Sequence, residues 1–290
     1  MSEHESSTGD HEAARAHGAR DAAASAALLE LARRIALQAA EFALDARRGG
    51  VSVAATKSSP VDIVTAVDRD TEALIRRLIL EARPDDGIVG EEDDALVGTS
   101  GVNWVVDPID GTVNFLYGIP AWAISIAVVE GSADPAAWTA IAGVVVNPST
   151  GEVFEAAAGG GARLDGRKIR ANADVSLAQA LVGTGFSYSA EGRRAQAEVL
   201  VTLLPKARDV RRIGSAALDL CAVAAGRLDA YYESGLHPWD HAAGALIARE
   251  AGARVGGPAG GPATVELVVA AAPSLSDELT EALRAAGVDA

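Results

Sequence analysis

The feature that most narrows the folds open to this chain is an apolar run that ends in paired acids. Trp104-Val105-Val106 leads directly into Asp107-Pro108-Ile109-Asp110-Gly111-Thr112. The run predicts a strand over Asn103–Val106, and the proline fixes the backbone between two aspartates three residues apart. Both carboxylates and the Ile109 carbonyl can then be aimed at one point. Hard oxygen donors at one point suit Mg2+, and the spacing of a calcium-binding EF-hand loop is absent. Gly111-Thr112 lets the backbone approach a ligand closely, with the N–H groups of a following turn facing an anion. The residues alone leave open a plainer alternative, an Asp-Pro turn with Asp110-Gly111 as a bend.

The surrounding composition bounds what such a site can belong to. The chain has 290 residues, 49% hydrophobic and 22% charged, enough to bury a sizeable core in one large domain or two. Apolar stretches such as Ala121–Val129 fall short of the roughly 20 residues of a membrane-spanning helix, so no membrane partner is expected. The net charge of −15, from 40 acidic and 25 basic residues, opposes a nucleic-acid partner and suits cation binding. The single cysteine, Cys221, excludes an internal disulfide framework and a Cys-based zinc set; it lies in an apolar run and reads as a buried, inert thiol. No signal-peptide pattern opens the sequence, so a cytoplasmic location is the expectation.

Along the chain, residues 1–20 carry no apolar periodicity and hold His4, His11 and His17, which reads as a mobile tail before a domain over 21–290. A helix is predicted from Ala22 to about Arg47, with Leu28, Leu31, Ile35, Leu37 and Phe42 as its apolar face. Ile63-Val64-Thr65 predicts a short strand, and Asp68 opens a second helix with Leu74, Ile75, Leu78 and Ile79 on its core side, ended by Pro84. Strands at Ile88-Val89, Ala123–Val129, Trp138–Val146 and Glu152–Ala156 predict a meander, with a hairpin tip at Leu164-Asp165-Gly166-Arg167. Types then alternate: strand Ala180–Gly183, helices around Arg193–Leu204 and Ser215–Ala225, strand Leu228–Glu233, helix Trp239–Glu250, strand Val265–Ala270 and helix Ser274–Ala286. Gly256–Pro262 reads as a surface loop. Such mixing predicts an α+β or layered α/β sandwich, and no internal repeat is visible.

Other acids gain meaning only together. Gly90-Glu91-Glu92 follows the strand Ile88-Val89, although two adjacent glutamates are commonly solvent-facing. Asp240 precedes a strongly apolar helix, where the helix dipole alone explains an acid. His237 and His241 are four apart, a spacing that invites zinc. Pro238 marks the helix start, however, which leaves His237 outside the helix, and the neighbours are carboxylates, so a harder cation is favoured.

In this order, Gly90-Glu91-Glu92, Asp107-Pro108-Ile109-Asp110-Gly111-Thr112 and Pro238-Trp239-Asp240-His241-Ala242-Ala243-Gly244 resemble the signatures of the inositol monophosphatase family. Lys57-Ser58-Ser59-Pro60 with Asp62 to Asp68, Gly214-Ser215-Ala216-Ala217 and Tyr231-Tyr232-Glu233 agree, so the similarity runs from about Ala22 to the C-terminus. The resemblance implies a layered α-β-α-β-α sandwich of the inositol monophosphatase and fructose-1,6-bisphosphatase type. It implies a Mg2+-dependent, Li+-sensitive phosphomonoesterase, commonly a homodimer, acting on a small-molecule phosphomonoester through a metal-activated water.

Carried over residue by residue, the resemblance places Glu91, Asp107 and the Ile109 carbonyl around a first ion and Asp107, Asp110 and Asp240 around a second. Glu91, Asp68 and Glu92 would surround a weaker third, giving two to three Mg2+ per site. Asp68 and Thr112 would position the attacking water, with Glu91 also among the catalytic set, although a helix cap explains Thr112 equally. Asp110, Gly111, Thr112, Ser215, Ala216, Glu233 and Asp240 would contact substrate. Glu233 would take a polyol's hydroxyls, or else be a strand-end surface charge, and Ser215 has the alternative of a helix cap. Lys57 resembles a loop lysine over the metals, or is an exposed loop lysine. Arg211-Arg212 could touch a substrate phosphate or a partner subunit, or be a plain exposed pair.

The implied substrate is myo-inositol 1-phosphate. Fructose 1,6-bisphosphate, histidinol phosphate, NADP and phosphoadenosine phosphate are the alternatives within the family, and a non-catalytic metal-binding regulatory protein is the alternative of another class.

Overall fold

The strands from Gly87 to Lys168 pair in chain order and build the larger of the two main sheets. A computed structural model describes residues 6–50, 53–56, 63–132 and 134–288, with side chains described from residue 23 onward except over 51–64. Helix α1 (Ser6–Arg48), strands β1 (Val53–Thr56) and β2 (Ile63–Thr65) and helix α2 (Ala66–Ala82) come first. There follow β3 (Gly87–Gly90), β4 (Val102–Asp110), the short helix α3 (Thr112–Tyr117), β5 (Ala123–Gly131), β6 (Trp138–Asn147), β7 (Glu152–Ala157), β8 (Gly161–Leu164) and β9 (Arg167–Lys168). The rest comprises β10 (Leu181–Thr184), α4 (Ala190–Leu203), β11 (Asp209–Arg211), α5 (Ala216–Ala224), β12 (Ala230–Glu233), α6 (Pro238–Glu250), β13 (Arg254–Gly256), β14 (Val268–Ala271) and α7 (Ser276–Ala285).

Strands β3 to β9 form a seven-stranded sheet in sequential order, parallel only between β3 and β4. The five-stranded sheet has the order β11-β10-β12-β14-β13, its first three strands parallel and its last two antiparallel. Helices α1 and α2 cover one face of the large sheet, α5 and α6 fill the space between the sheets, and α4 and α7 cover the far face of the small one. The architecture is the expected α-β-α-β-α sandwich.

Sequence pattern explains the layering. Along β5, Ala123, Ala127 and Val129 enter the core shared with α5 and α6, while Ile124, Ile126 and Val128 enter the core under α1 and α2. A strand covered on both faces reads as a continuous apolar run, as this one does. No helix among the described residues is long and apolar enough to cross a membrane.

Several boundaries differ from expectation. Helix α1 begins at Ser6 rather than Ala22; the intervening stretch carries four alanines, two arginines and one glutamate, good helix formers without an apolar stripe. Phe42 is exposed, and the buried face of α1 is made largely by Ala32, Ala36, Ala39, Ala40 and Ala43, small residues that let the helix lie close to the sheet. Helix α2 starts at Ala66, capped by Thr65, with Asp68 at its third position instead of opening it. Residues 254–256, partly inside the expected loop, pair as the edge strand β13, and β14 starts at Val268 rather than Val265. The short strand β11 is also added by the structure; its Asp-Val-Arg sequence has no alternation to detect.

Candidate active site

Residues 107 and 110 of an ideal strand face opposite sides, because side chains alternate with a period of two. Strand β4 extends through Pro108 to Asp110, and its pairing with β5 slips: Asp107 lies opposite Ser125 but Asp110 opposite Ala123. Three steps on β4 thus match two on β5. This bulge brings both aspartates to one side, and Pro108, which has no N–H to give to the ladder, sits within it. Asp107 Oδ1 accepts from the Ile109 N–H at 3.0 Å. Gly111 then adopts a left-handed conformation (φ +95°), and an added Cβ there would meet the carbonyls of Gly214 and Ala121 at 3.0 and 3.1 Å. Glycine is required on both counts.

Asp240 arrives from the first turn of α6. Pro238 opens that helix as expected, His237 before it is the N-cap, and Asp240 Oδ2 accepts from the His237 N–H at 2.6 Å. One carboxylate oxygen from each of Asp107, Asp110 and Asp240 lies within 4.8 Å of the others, a group that could hold a metal ion. Burial, with the like charges of Glu91, Asp110 and Asp240, holds the Asp107 carboxyl well above the usual carboxylate range. Asp240 is raised likewise by burial, Glu91 and Asp110. Asp110 is pushed up to about 6 by burial, against the donors around it.

Those donors come from the start of α5. The Ser215 hydroxyl donates to Asp110 Oδ2 at 2.5 Å, and the Ala217 and Ala216 N–H groups donate to the same carboxylate at 2.8 and 3.3 Å. Ser215 also caps the helix through the Leu218 N–H. Ser215 and Ala216 line the cleft, yet their polar groups orient Asp110.

Asp68 and Thr112 are brought together. The Thr112 hydroxyl lies 3.1 Å from Asp68 Oδ1 and 3.2 Å from the Ile109 carbonyl, and so shares its proton between two acceptors. Asp68 Oδ2 accepts from the Thr65 N–H at 2.9 Å and from the Thr65 hydroxyl. Asp68 is therefore buried beside the three-acid group without belonging to it. Glu91 lines the cleft, whereas the Glu92 side chain is covered and faces the Arg69 guanidinium at 3.8 Å. Lys57 and Asp62 lie outside the described residues.

A cleft of about 420 Å³ is lined by Glu91, Asp110, Thr112, Asp240 and Glu233 among others, a volume within the ordinary range for small-molecule sites. Burial pushes the Glu233 carboxyl up to about 7, opposed by the Tyr231 hydroxyl, which donates to its Oε2 at 2.5 Å, and by Arg212. Arg212 lines the cleft. Arg211 instead turns to Asp209 at 2.6 Å, so the pair divides its duties.

His237 stacks on Trp239 at the cleft, while His241 is buried with its ring kept neutral, its pKa lowered to about 4 by desolvation. Neither is among the three acids that converge. Cys221 is fully buried and its thiol pKa is raised by desolvation.

Two contributors escaped sequence reasoning. Asn114 uses its side-chain N–H groups to tie α3 to the Ala121 carbonyl at 2.7 Å and the Ile213 carbonyl at 2.9 Å, joining the Asp-Gly-Thr turn to the approach to α5. Tyr231 anchors Glu233. An asparagine within an apolar helix stretch was the available signal for the first; a tyrosine two residues before an acid on a strand, hence on the same face, was the signal for the second.

Similarity to known proteins gives the class, a phosphoric monoester hydrolase, and the fold and cleft suit it. The sequence profile of the inositol monophosphatase family matches residues 24–288. The inositol-1-monophosphatase SuhB of Mycobacterium tuberculosis is 48% identical, over 95% of each chain. The solved structure of Mycobacterium tuberculosis SuhB, 47% identical, superposes with a TM-score of 0.76 over 91% of this chain and 98% of that one. A protein named Nus factor SuhB, from Vibrio cholerae, is 39% identical over 81% of this chain and 86% of its own length. This chain belongs to the inositol monophosphatase family, whose members act on small phosphate substrates.

Proposed function

We propose that the chain hydrolyses a sugar or polyol monophosphate, with myo-inositol 1-phosphate the leading substrate, in a Mg2+-dependent reaction. The observation that carries this reading is the convergence of Asp107, Asp110 and Asp240 within 4.8 Å beside the Thr112–Asp68 hydrogen bond. Buried, mutually repelling carboxylates are hard oxygen donors that fit a divalent cation of this kind. Glu91, Asp107 and the Ile109 carbonyl would hold one ion, Asp107, Asp110 and Asp240 a second, and Glu91, Asp68 and Glu92 a weaker third. When bound, the ions offset the acids' charge, lower the pKa of a nucleophilic water and stabilise the leaving alkoxide.

The chain's own residues do the rest. Asp68 fixes the Thr112 hydroxyl so that its oxygen is held toward the attacking water, within reach for proton handling. Gly111 leaves the backbone open to phosphoryl oxygens. The start of α5 holds Asp110 in one orientation through three donors. Tyr231 fixes the Glu233 carboxylate on the cleft wall, where it can accept from a polyol's hydroxyls. Arg212 adds a guanidinium on the cleft wall for an anionic substrate.

Phosphate release from myo-inositol 1-phosphate, fructose 1,6-bisphosphate, histidinol phosphate, NADP and phosphoadenosine phosphate, with and without Mg2+, tests the reading. The inositol ester should give the highest kcat/KM, with activity lost on chelation, restored by Mg2+ and inhibited by Li+. The relative named a Nus factor favours a second reading, a metal-binding regulatory protein acting through partner contacts; absence of turnover on every ester would support it. A homodimer in the cytoplasm, with residues 1–20 dispensable to a domain over 21–290, completes the proposal. Sedimentation of the full chain and the kinetics of a shortened one examine those parts.

A further inference from the structure

Glu72 is a fully buried carboxylate one helical turn beyond Asp68 on α2. Its Oε2 accepts from the Glu92 N–H at 2.8 Å, and its Oε1 accepts from the Asp93 N–H at 3.1 Å. The Arg76 guanidinium donates to Oε1 at 2.8 Å and, through its other arm, to the Asp93 carbonyl at 2.9 Å. Two successive backbone N–H groups thus form a cradle for one carboxylate, and the arginine closes the ring around it. The carboxylate also lies against Gly90: a Cβ at that position would fall 2.2 Å from Glu72 Oε1. Gly90 is therefore glycine because Glu72 occupies the place of its side chain.

Both Glu72 oxygens already face donors, which suits a brace better than a cation ligand. What the brace holds is the turn that carries Glu91 and Glu92 out of β3. We propose that Glu72 is a positioning residue for the metal centre, fixing the Glu91-Glu92 turn so that the Glu91 carboxylate meets the acids at the end of β4. Helix α2 then acts at two points one turn apart, with Asp68 holding Thr112 and Glu72 holding the glutamates. Outer partners of this kind typically change metal affinity by about 10- to 100-fold when removed. The inference rests on the reading of Glu91 and Glu92 as metal ligands.

The test is Mg2+ binding to the full-length, substrate-free protein, followed by titration calorimetry, with thermal melting recorded alongside. In Glu72→Gln the amide turns an N–H2 toward a backbone donor. Its Mg2+ dissociation constant should rise by about tenfold or more, while kcat at saturating Mg2+ stays within about threefold of the parent. A merely structural glutamate would lower the melting temperature and leave the Mg2+ constant in place, so a folded Glu72→Gln protein with parental Mg2+ affinity overturns the proposal. Should Glu72→Gln fail to fold, Arg76→Gln, which loosens the ring but leaves the carboxylate, should weaken Mg2+ binding by about threefold. Unchanged binding there is equally decisive. A parent protein that binds no Mg2+ would defeat the metal-site reading itself, and the inference with it.

Discussion

Two groups of buried acids sit at the same end of this molecule and are treated in opposite ways. On α2, the oxygens of Asp68 and Glu72 meet hydroxyl, backbone and guanidinium donors. In the group of Asp107, Asp110 and Asp240, one oxygen of each converges; burial raises all three, like charge adds to this at Asp107 and Asp240, and Asp110 is opposed by its three donors. Buried carboxylates are ordinarily satisfied by donors, so the first group holds its neighbours in place. The second group keeps one oxygen of each acid directed at a common point under electrostatic strain, the arrangement on which the proposed metal chemistry rests.

The largest effect should come from the strained group. Asp107→Asn or Asp110→Asn should lower kcat/KM by roughly a thousandfold or more, about 4 kcal/mol of transition-state stabilisation, with an unchanged circular dichroism spectrum. Near-parental phosphate release by either variant at low Mg2+ would erase the distinction between the two groups. Next, Thr112→Ala removes the hydroxyl that joins them. It should cost about 100-fold or more in kcat with a much smaller change in KM, and Thr112→Ser should recover most of the loss.

A third expectation concerns protons. Asp110 holds its proton up to about pH 6, and Asp107 and Asp240 are raised as well, so a cation must displace protons from them. Mg2+ affinity should therefore fall as pH drops through about 6, by about tenfold per unit for one competing proton. Calorimetry in buffers of different ionisation enthalpy should register proton release on binding; affinity independent of pH between 5 and 8 would contradict it.

The smallest effect is on stability. Asp219 is buried near Glu233 and Asp110, and desolvation pushes its carboxyl up to about 9. The native state keeps this proton where the unfolded chain releases it, so its contribution to stability is full below the unfolded pKa and lost as pH rises through about 9. Asp219→Asn, neutral throughout, lacks that slope. Its melting temperature relative to the parent should rise from pH 5 to pH 8, and a constant difference would show that Asp219 is not held protonated.

Much of the site was legible because its signals are local. The run into Asp107, the Gly111 turn, Pro238 ahead of Asp240 and the Ser215 cap are each set within a few residues, by dihedral limits or by a missing N–H. The apolar run Ala123–Val129 likewise marked β5 as a strand. By contrast, Ser215 and Ala216, expected to face the substrate, line the cleft and also hold Asp110 from 105 and more residues away in the chain, a contact no local pattern announces. Strands β11 and β13 carried too little pattern to be seen, being short members at the two ends of the five-stranded sheet.

By itself, then, the sequence determined the alternation of helices and strands, the acid-bearing turn and the family signatures, since these depend on side-chain type and short-range backbone geometry. Only the tertiary structure decided which acids would be braced and which left facing one another. The β4 bulge, the Glu72 cradle, the Asn114 tie and the Tyr231 anchor each depend on partners that meet only when sheets and helices pack. Whether a buried carboxylate is satisfied is a property of those neighbours and not of its own residue type.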